Sequence, residues 1–164
     1  MTVDVRPARD EELDRAGEVV AKAYLTNPGM HDDLAYLAYV RDARARAAFS
    51  EVLVAVDVDG EIVGTVSYVA DFASAMADLA HEHEAEFRML GVLPSARGAG
   101  VGSALVNACI ARARRDRRSA LVLSTPPDWA TGQRLYEGLG FRRAPDRDFD
   151  PVPGFRLWAF VLAL

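Results

Sequence analysis

Between Phe87 and Leu105 the chain reads FRMLGVLPSARGAGVGSAL: an apolar run closed by Pro94, the turn Arg97-Gly98-Ala99-Gly100-Val101-Gly102, then helical spacing. Strand, glycine-rich turn and helix in that order form an anion cradle. Glycines let successive N–H groups converge, and the unpaired donors at the helix start add their dipole. Arg97 adds a full charge with bidentate reach to phosphate oxygens. The plainer alternative is a flexible turn with a glycine at the helix N-cap; the strand before it and the helix after it favour the cradle. A Walker loop needs a lysine after its last glycine, and Lys22 is the only lysine in the chain. A dinucleotide fingerprint counted from Gly98 would put its third glycine on Ser103, and it belongs to the first βαβ unit of a chain.

Three other groups could do chemistry. His81-Glu82-His83-Glu84 offers two imidazoles beside carboxylates, but no further ligand follows at strand or helix spacing. A flexible acidic loop is the expected role, although either histidine could assist proton removal. Cys109, between Ala108 and Ile110, reads as a small packing residue rather than an acyl carrier. Charge is also uneven. Asp71, Asp78, Glu82, Glu84 and Glu86 occur in a stretch without Lys or Arg, whereas Arg97 to Arg118 holds six arginines and only Asp116. Two solvated faces of opposite sign are one account; an acidic rim that attracts cationic acceptors beside an anion site is the other.

Hydrophobic period places the elements around these groups. Thr2 to Arg6 alternates as a strand, and Asp10 can cap a helix with Leu13, Ala16, Val20 and Tyr24 on one side, stopped by Asn27-Pro28-Gly29. A second helix follows Asp32. Glu51–Val56 and Glu61–Val69 flank Asp59-Gly60 as a hairpin. Phe72 to His83 is a loop or a short helical turn, and Ala85 to Leu93 is a strand. Val101 to Arg115 is a helix, Ala120 to Ser124 an apolar strand, and Trp129 to Leu139 a helix that Asp128 can cap and Gly140 ends. Phe141 to Arg143 and Phe155 to Val161 close the chain as strands. The order is β-α-α-β-β-β-α-β-α-β-β, an α/β chain with a mixed sheet.

The 164 residues fit one domain, spanning 1–164, and a hydrophobic fraction of 51% supplies a core. Nineteen basic and twenty-four acidic side chains leave a net charge of −5, which disfavours nucleic acid as a partner. One cysteine makes no internal disulfide, no apolar run approaches a bilayer span, and the N-terminus lacks the pattern of a secretory signal. A cytoplasmic protein without a membrane partner is expected.

Two motifs together resemble a known family. Gly91-Val92-x-Pro94 followed by Arg97-x-x-Gly100-x-Gly102 is similar to the acyl-CoA-binding motif of the GNAT N-acetyltransferases. Leu135-Tyr136-Glu137-Gly138-Leu139-Gly140-Phe141 resembles that family's L-Y-x-x-x-G-F motif. The resemblance implies a mixed, mostly antiparallel central sheet flanked by helices, with the fourth and fifth strands splayed around the cofactor. It implies acetyl-CoA as cosubstrate and direct transfer of acetyl to a primary amine on a small molecule or peptide. A catalytically silent acyl-CoA-binding module is the alternative. Leu90, Gly91 and Val92 would then lie beside the pantetheine arm and thioester, where one of their N–H groups could donate to the oxyanion. The pyrophosphate would rest on Gly98, Ala99, Gly100, Val101, Gly102 and Ser103, with Arg97 beside it.

Tyr136 matches the tyrosine near the sulfur, which hydrogen-bonds or protonates the leaving thiolate. Trp129 stands where the family often has asparagine. An amine of pKa about 10.4 costs about 4.6 kcal/mol to present unprotonated at pH 7. Glu86, six residues before Val92, matches the base of histone-type members; strict strand alternation would place it on one face with Arg88, Leu90 and Val92. A solvated glutamate at the strand's start is the alternative, and Glu84 is the reserve. The helices carrying Tyr24, Tyr36 and Tyr39 would line the acceptor site, and a homodimer is within what the resemblance allows.

Overall fold

Valine-rich strands around Asp59-Gly60 form one half of the sheet in the computed structural model, which describes residues 1–27 and 33–164. The strands are β1 (Asp4–Pro7), β2 (Glu51–Val56), β3 (Ile62–Val69), β4 (Glu84–Val92), β5 (Ala120–Thr125), β6 (Arg142–Arg143), β7 (Phe149–Val152) and β8 (Phe155–Ala163). The helices are α1 (Leu13–Tyr24), α2 (Leu34–Arg41), α3 (Ala43–Arg46), α4 (Val101–Arg115) and α5 (Ala130–Gly138). The sheet runs β1-β2-β3-β4-β5-β8-β6, with β7 on β8. Neighbours are antiparallel except β4 and β5, which are parallel and joined through α4. Asp59-Gly60 does turn the β2–β3 hairpin, with Gly60 at φ +84°.

Both faces of the sheet are covered, which is why β3 is buried along its whole length and β5 is almost wholly apolar. On one face Leu105, Val106 and Cys109 of α4 pack with Leu53, Phe87 and Leu121, and α5 adds Tyr136. On the other, Leu13, Ala16 and Val19 of α1 meet Val52 and Val54. Each such buried Val or Leu contributes about 1.5–3 kcal/mol. Cys109 is fully buried, and burial pushes its thiol far up, so it is packing material.

Local chemistry explains the departures from expectation. Asp10 does not cap α1: it lies in a 3-10 turn before the helix, where the Glu12 carboxylate accepts the Arg9 amide at 2.8 Å. Asp128 does not cap α5, whose first turn closes on the Trp129 carbonyl without a side-chain cap. Asp33 caps α2 and Asp42 caps the short α3, which periodicity did not reveal. The stop at Pro28-Gly29 and the start at Asp32 lie outside the described residues. Strand β7 forms in the Pro- and Asp-rich segment between the two closing strands expected from the sequence, because β8 offers it an edge. Residues 72–83 are turns without regular structure.

Candidate active site

Strands β4 and β5 pair only at Glu84↔Ala120, Ala85↔Leu121 and Glu86↔Val122. Beyond Glu86, β4 keeps β3 on one side and has no strand on the other. A bulge lies within this segment. Ser67 pairs with Arg88 and Thr65 with Gly91, so Val66 alone faces Met89 and Leu90, and Met89 sits at φ +57°. The extra residue bends and twists β4 where it leaves β5. It also breaks the alternation. Glu86, Arg88, Met89 and Gly91 face α1, where a Cβ on Gly91 would lie 2.9 Å from Val20, while Leu90 and Val92 pack toward α4. The expected common face of Glu86, Arg88, Leu90 and Val92 is therefore divided at the bulge.

The opening leads to the glycine-rich turn. Gly98 and Gly100 have φ +75° and +85°, and a Cβ on either would meet nothing within 4 Å. These left-handed residues turn the chain into α4, whose N-cap is Gly100. A cavity of about 630 Å³ runs from this turn along the opening between β4 and β5. Leu90, Gly91 and Val92 line its middle, and Arg97, Gly98, Gly100, Val101, Gly102 and Ser103 its end; Ala99 is in the turn but not on the wall. Arg97 departs from its expected reach. Its guanidinium donates to the carbonyls of Ala23 at 3.1 Å and Val92 at 3.3 Å, so it ties the turn to the end of α1.

Tyr136 also lines the cavity, with its ring among Phe87, Phe141 and Phe160. Burial pushes its hydroxyl well above the usual tyrosine range, so it keeps its proton and can donate a hydrogen bond. Glu86 is elsewhere. It is fully buried, does not line the cavity, and accepts the amides of Asp78 at 2.7 Å and Leu79 at 2.8 Å. Burial pushes its carboxyl up to about 7, against the pull of those two bonds.

The other acids of this segment are also engaged: Glu84 with Arg147 at 2.8 Å, Asp78 with Arg88 at 3.0 Å, and Asp71 with the Ala73 amide. Glu84 and Glu86 are thereby drawn into the protein, while Asp71, Asp78 and Glu82 stay exposed, so the expected acidic rim is reduced. His83 and Glu82 lie side by side on the surface, and among the described residues no group of three metal-ligating side chains forms.

Glu86→Gln should show what the buried carboxylate does. The amide NH₂ would oppose one backbone N–H, leaving a donor unpaired at a cost of about 1–3 kcal/mol. Because the folded pKa is raised, the parent binds more protons folded than unfolded between pH 4.5 and 7 and loses stability as pH rises through that window. The variant lacks that slope, worth on the order of 3 kcal/mol. Its deficit in denaturant midpoints should be largest near pH 5 and narrow toward pH 8; a constant deficit would contradict the raised pKa.

At its inner end the cavity meets Tyr24 and Trp129, which the sequence singles out, and Arg88, Met89 and Ser124, which it does not place in the site. Trp129, at the position where asparagine was expected, meets the Tyr24 ring edge-on at 5.1 Å and so spans the gap between α1 and the β5–α5 turn. A lone arginine inside the apolar run of β4 was the available signal for Arg88.

Splayed parallel strands leading to a glycine-lined helix start define an α/β protein built to take an elongated anionic ligand. Comparison with protein families matches residues 17–141 to the acetyltransferase (GNAT) family. The chain belongs to that family. Among solved structures it resembles the PaiA N-acetyltransferase of Thermoplasma acidophilum in complex with coenzyme A (TM-score 0.75, 14% identity, 100% of both chains). It also resembles yncA of Salmonella typhimurium with its cofactor acetyl-CoA (TM-score 0.68, 21% identity, 100% of this chain and 95% of that one). These likenesses concern the fold. N-acetylaspartate synthetase of Danio rerio is 32% identical over 97 residues, which are 59% of this chain. The match spans about a third of that relative's length, 32%. No helix among the described residues is long and apolar enough to cross a membrane.

Proposed function

We propose that the protein is an acetyl-CoA-dependent N-acetyltransferase acting on a primary amine. The observation that carries this reading is the continuous cavity from Gly98 and Gly100 to the unpaired edge of β4. Its parts suit a nucleotide thioester. The left-handed glycines leave space where a Cβ would stand, so the amides from Gly98 to Ser103 can approach a pyrophosphate at the helix start. The free edge of β4 at Leu90, Gly91 and Val92 can pair with an extended amide-bearing arm as an added strand. Acetyl-CoA supplies an activated carbonyl and a thiol leaving group.

Around that carbonyl the chain's own residues act on charge and position. A backbone N–H of Leu90 to Val92 donates to the oxygen as negative charge develops there. Tyr136 Oη donates a hydrogen bond to the departing sulfur. Trp129 and Tyr24 close the inner end. Glu86, expected as the base, is proposed instead as the anchor of the loop at Asp78 and Leu79, since it has no surface on the cavity; the amine's proton passes to solvent.

The test is to follow free thiol release and N-acetyl product with acetyl-CoA and amine pools. CoA at 100 times its dissociation constant should add about 2.7 kcal/mol, a melting shift of about 5–10 °C. No shift at millimolar CoA would overturn the reading, and a shift without turnover on any amine would leave an acyl-CoA-binding module. Glu86→Gln should keep the midpoint of the pH–rate profile; an upward move would return the base role to Glu86.

A further inference from the structure

A second, small cavity of about 60 Å³ adjoins the inner end of the large one. Tyr24, Arg88, Met89, Ser124 and Trp129 line both, so the two spaces share a wall. Tyr36, Asp78 and the apolar side chains of Pro126, Phe155 and Leu157 complete the small one. Its volume suits a small polar group such as a carboxylate and not a whole acceptor.

Its one cation is Arg88. The guanidinium donates through one Nη to the Met76 carbonyl at 3.1 Å, and its other Nη lies 3.0 Å from the Asp78 carboxylate as an ion pair, which leaves further N–H donors on a five-donor group. Nearby, the Arg46 guanidinium is buried and donates to the carbonyls of Tyr39 and Val40, not to a carboxylate. Glu86 gives both oxygens to loop amides, and its burial favours the neutral form. Asp78, which lines the same cavity, pairs with Arg88, so what Arg88 offers a ligand is its spare N–H donors. Tyr24 and Tyr36 add hydroxyls that have no hydrogen-bond partner among the described residues. Spare guanidinium donors beside two hydroxyls, in a cavity too small for a whole acceptor, suit an oxyanion.

Resting on the transferase reading above, we propose that the acceptor is an amino acid, whose carboxylate is held by Arg88 with Tyr24 and Tyr36 while its amine faces the opening at Met89 and Leu90. Arg88 is then the residue that sets acceptor specificity. The arrangement fits an α-amino acid because its nitrogen is only two bonds from the carboxylate carbon, and Arg88 and Met89 line both the small cavity and the large one.

The experiment compares each of the twenty amino acids with its α-carboxamide as acceptor. At least one amino acid should be acetylated with kcat/KM about 100-fold above its amide. Arg88→Gln should cut that preference to less than about fivefold, mainly through KM, with the CoA dissociation constant unchanged; Arg88→Lys should lie between. Equal use of acid and amide, a preference that survives Arg88→Gln, or polyamines acetylated ahead of every amino acid would overturn the proposal. Should Arg88→Gln not fold, the acid-against-amide ratio of the parent decides.

A binding arm separates this from the transferase reading. Titrating the CoA-saturated protein with N-acetyl-amino acids and with their carboxamides needs no turnover. Acid-selective binding without turnover supports the Arg88 pocket and overturns the transferase reading. Turnover of other amines without acid-selective binding does the reverse.

Discussion

Gly100→Val should raise the CoA dissociation constant at least 100-fold while the protein stays folded. Gly100 sits at φ +85° at the start of α4, and its missing side chain borders the anion end of the cavity. A valine there has two effects. Its branched side chain fills the space a pyrophosphate would need, and its backbone is forced from the left-handed region, at a cost of about 1–3 kcal/mol. A 100-fold change corresponds to about 2.7 kcal/mol of lost binding. Gly60→Val separates the two effects, because Gly60 has nearly the same φ of +84° and open space around it but lies in the β2–β3 hairpin. Both variants should lose similar stability, and only Gly100→Val should lose CoA by calorimetry. Equal CoA affinity in the two would mean that the cradle does not hold the anion.

Tyr136→Phe should lower kcat about 10- to 100-fold and leave CoA binding within threefold. The ring would keep its contacts with Phe87 at 5.9 Å and Phe160 at 6.1 Å, so the wall of the cavity survives. Only the hydroxyl is removed. With its pKa pushed far up by burial, that hydroxyl is a poor acid toward a thiolate, since an alkyl thiol such as cysteine's ionises with a pKa of about 8.5. It acts by donating a hydrogen bond to the charged sulfur, worth about 1.5–3 kcal/mol, and this sets the size of the loss. Single-turnover acetyl transfer, which excludes product release, is the measurement. An unchanged rate would remove Tyr136 from the chemistry, and a large rise in the CoA dissociation constant would make it a binding residue.

Much of this arrangement is legible in the linear chain because its causes are local. Gly98 and Gly100 announce left-handed backbone, the spacing after Val101 announces a helix, and valine alternation around Asp59-Gly60 announces a hairpin. Tyr136 is found the same way, inside a motif whose helix and strand are contiguous. The residues that a motif and one helix or strand can hold together were placed on the cavity wall, with Ala99 the exception.

Glu86, Arg88 and Arg97 show where local reasoning stops. Strict alternation put Glu86 on a face with Leu90 and Val92, but the bulge at Met89 depends on how β4 pairs with β3, and no feature of β4 alone specifies it. The fate of each charge depends on partners distant in the chain. Arg97 reaches back to Ala23, Glu84 reaches Arg147, and Glu86 holds the loop at Asp78 and Leu79. Composition counted five acids without a cation between them; folding brought arginines to two of them and backbone amides to others.

The sequence by itself determined the α/β class, the glycine-rich turn into α4 and the family, since glycine conformation and hydrophobic period act within a few residues. Only the tertiary structure decided which charges face the cavity. A charged side chain's position follows from the desolvation and pairing that remote segments provide, and for Arg88 those segments are the 76–78 loop, α1 and the β5–α5 turn.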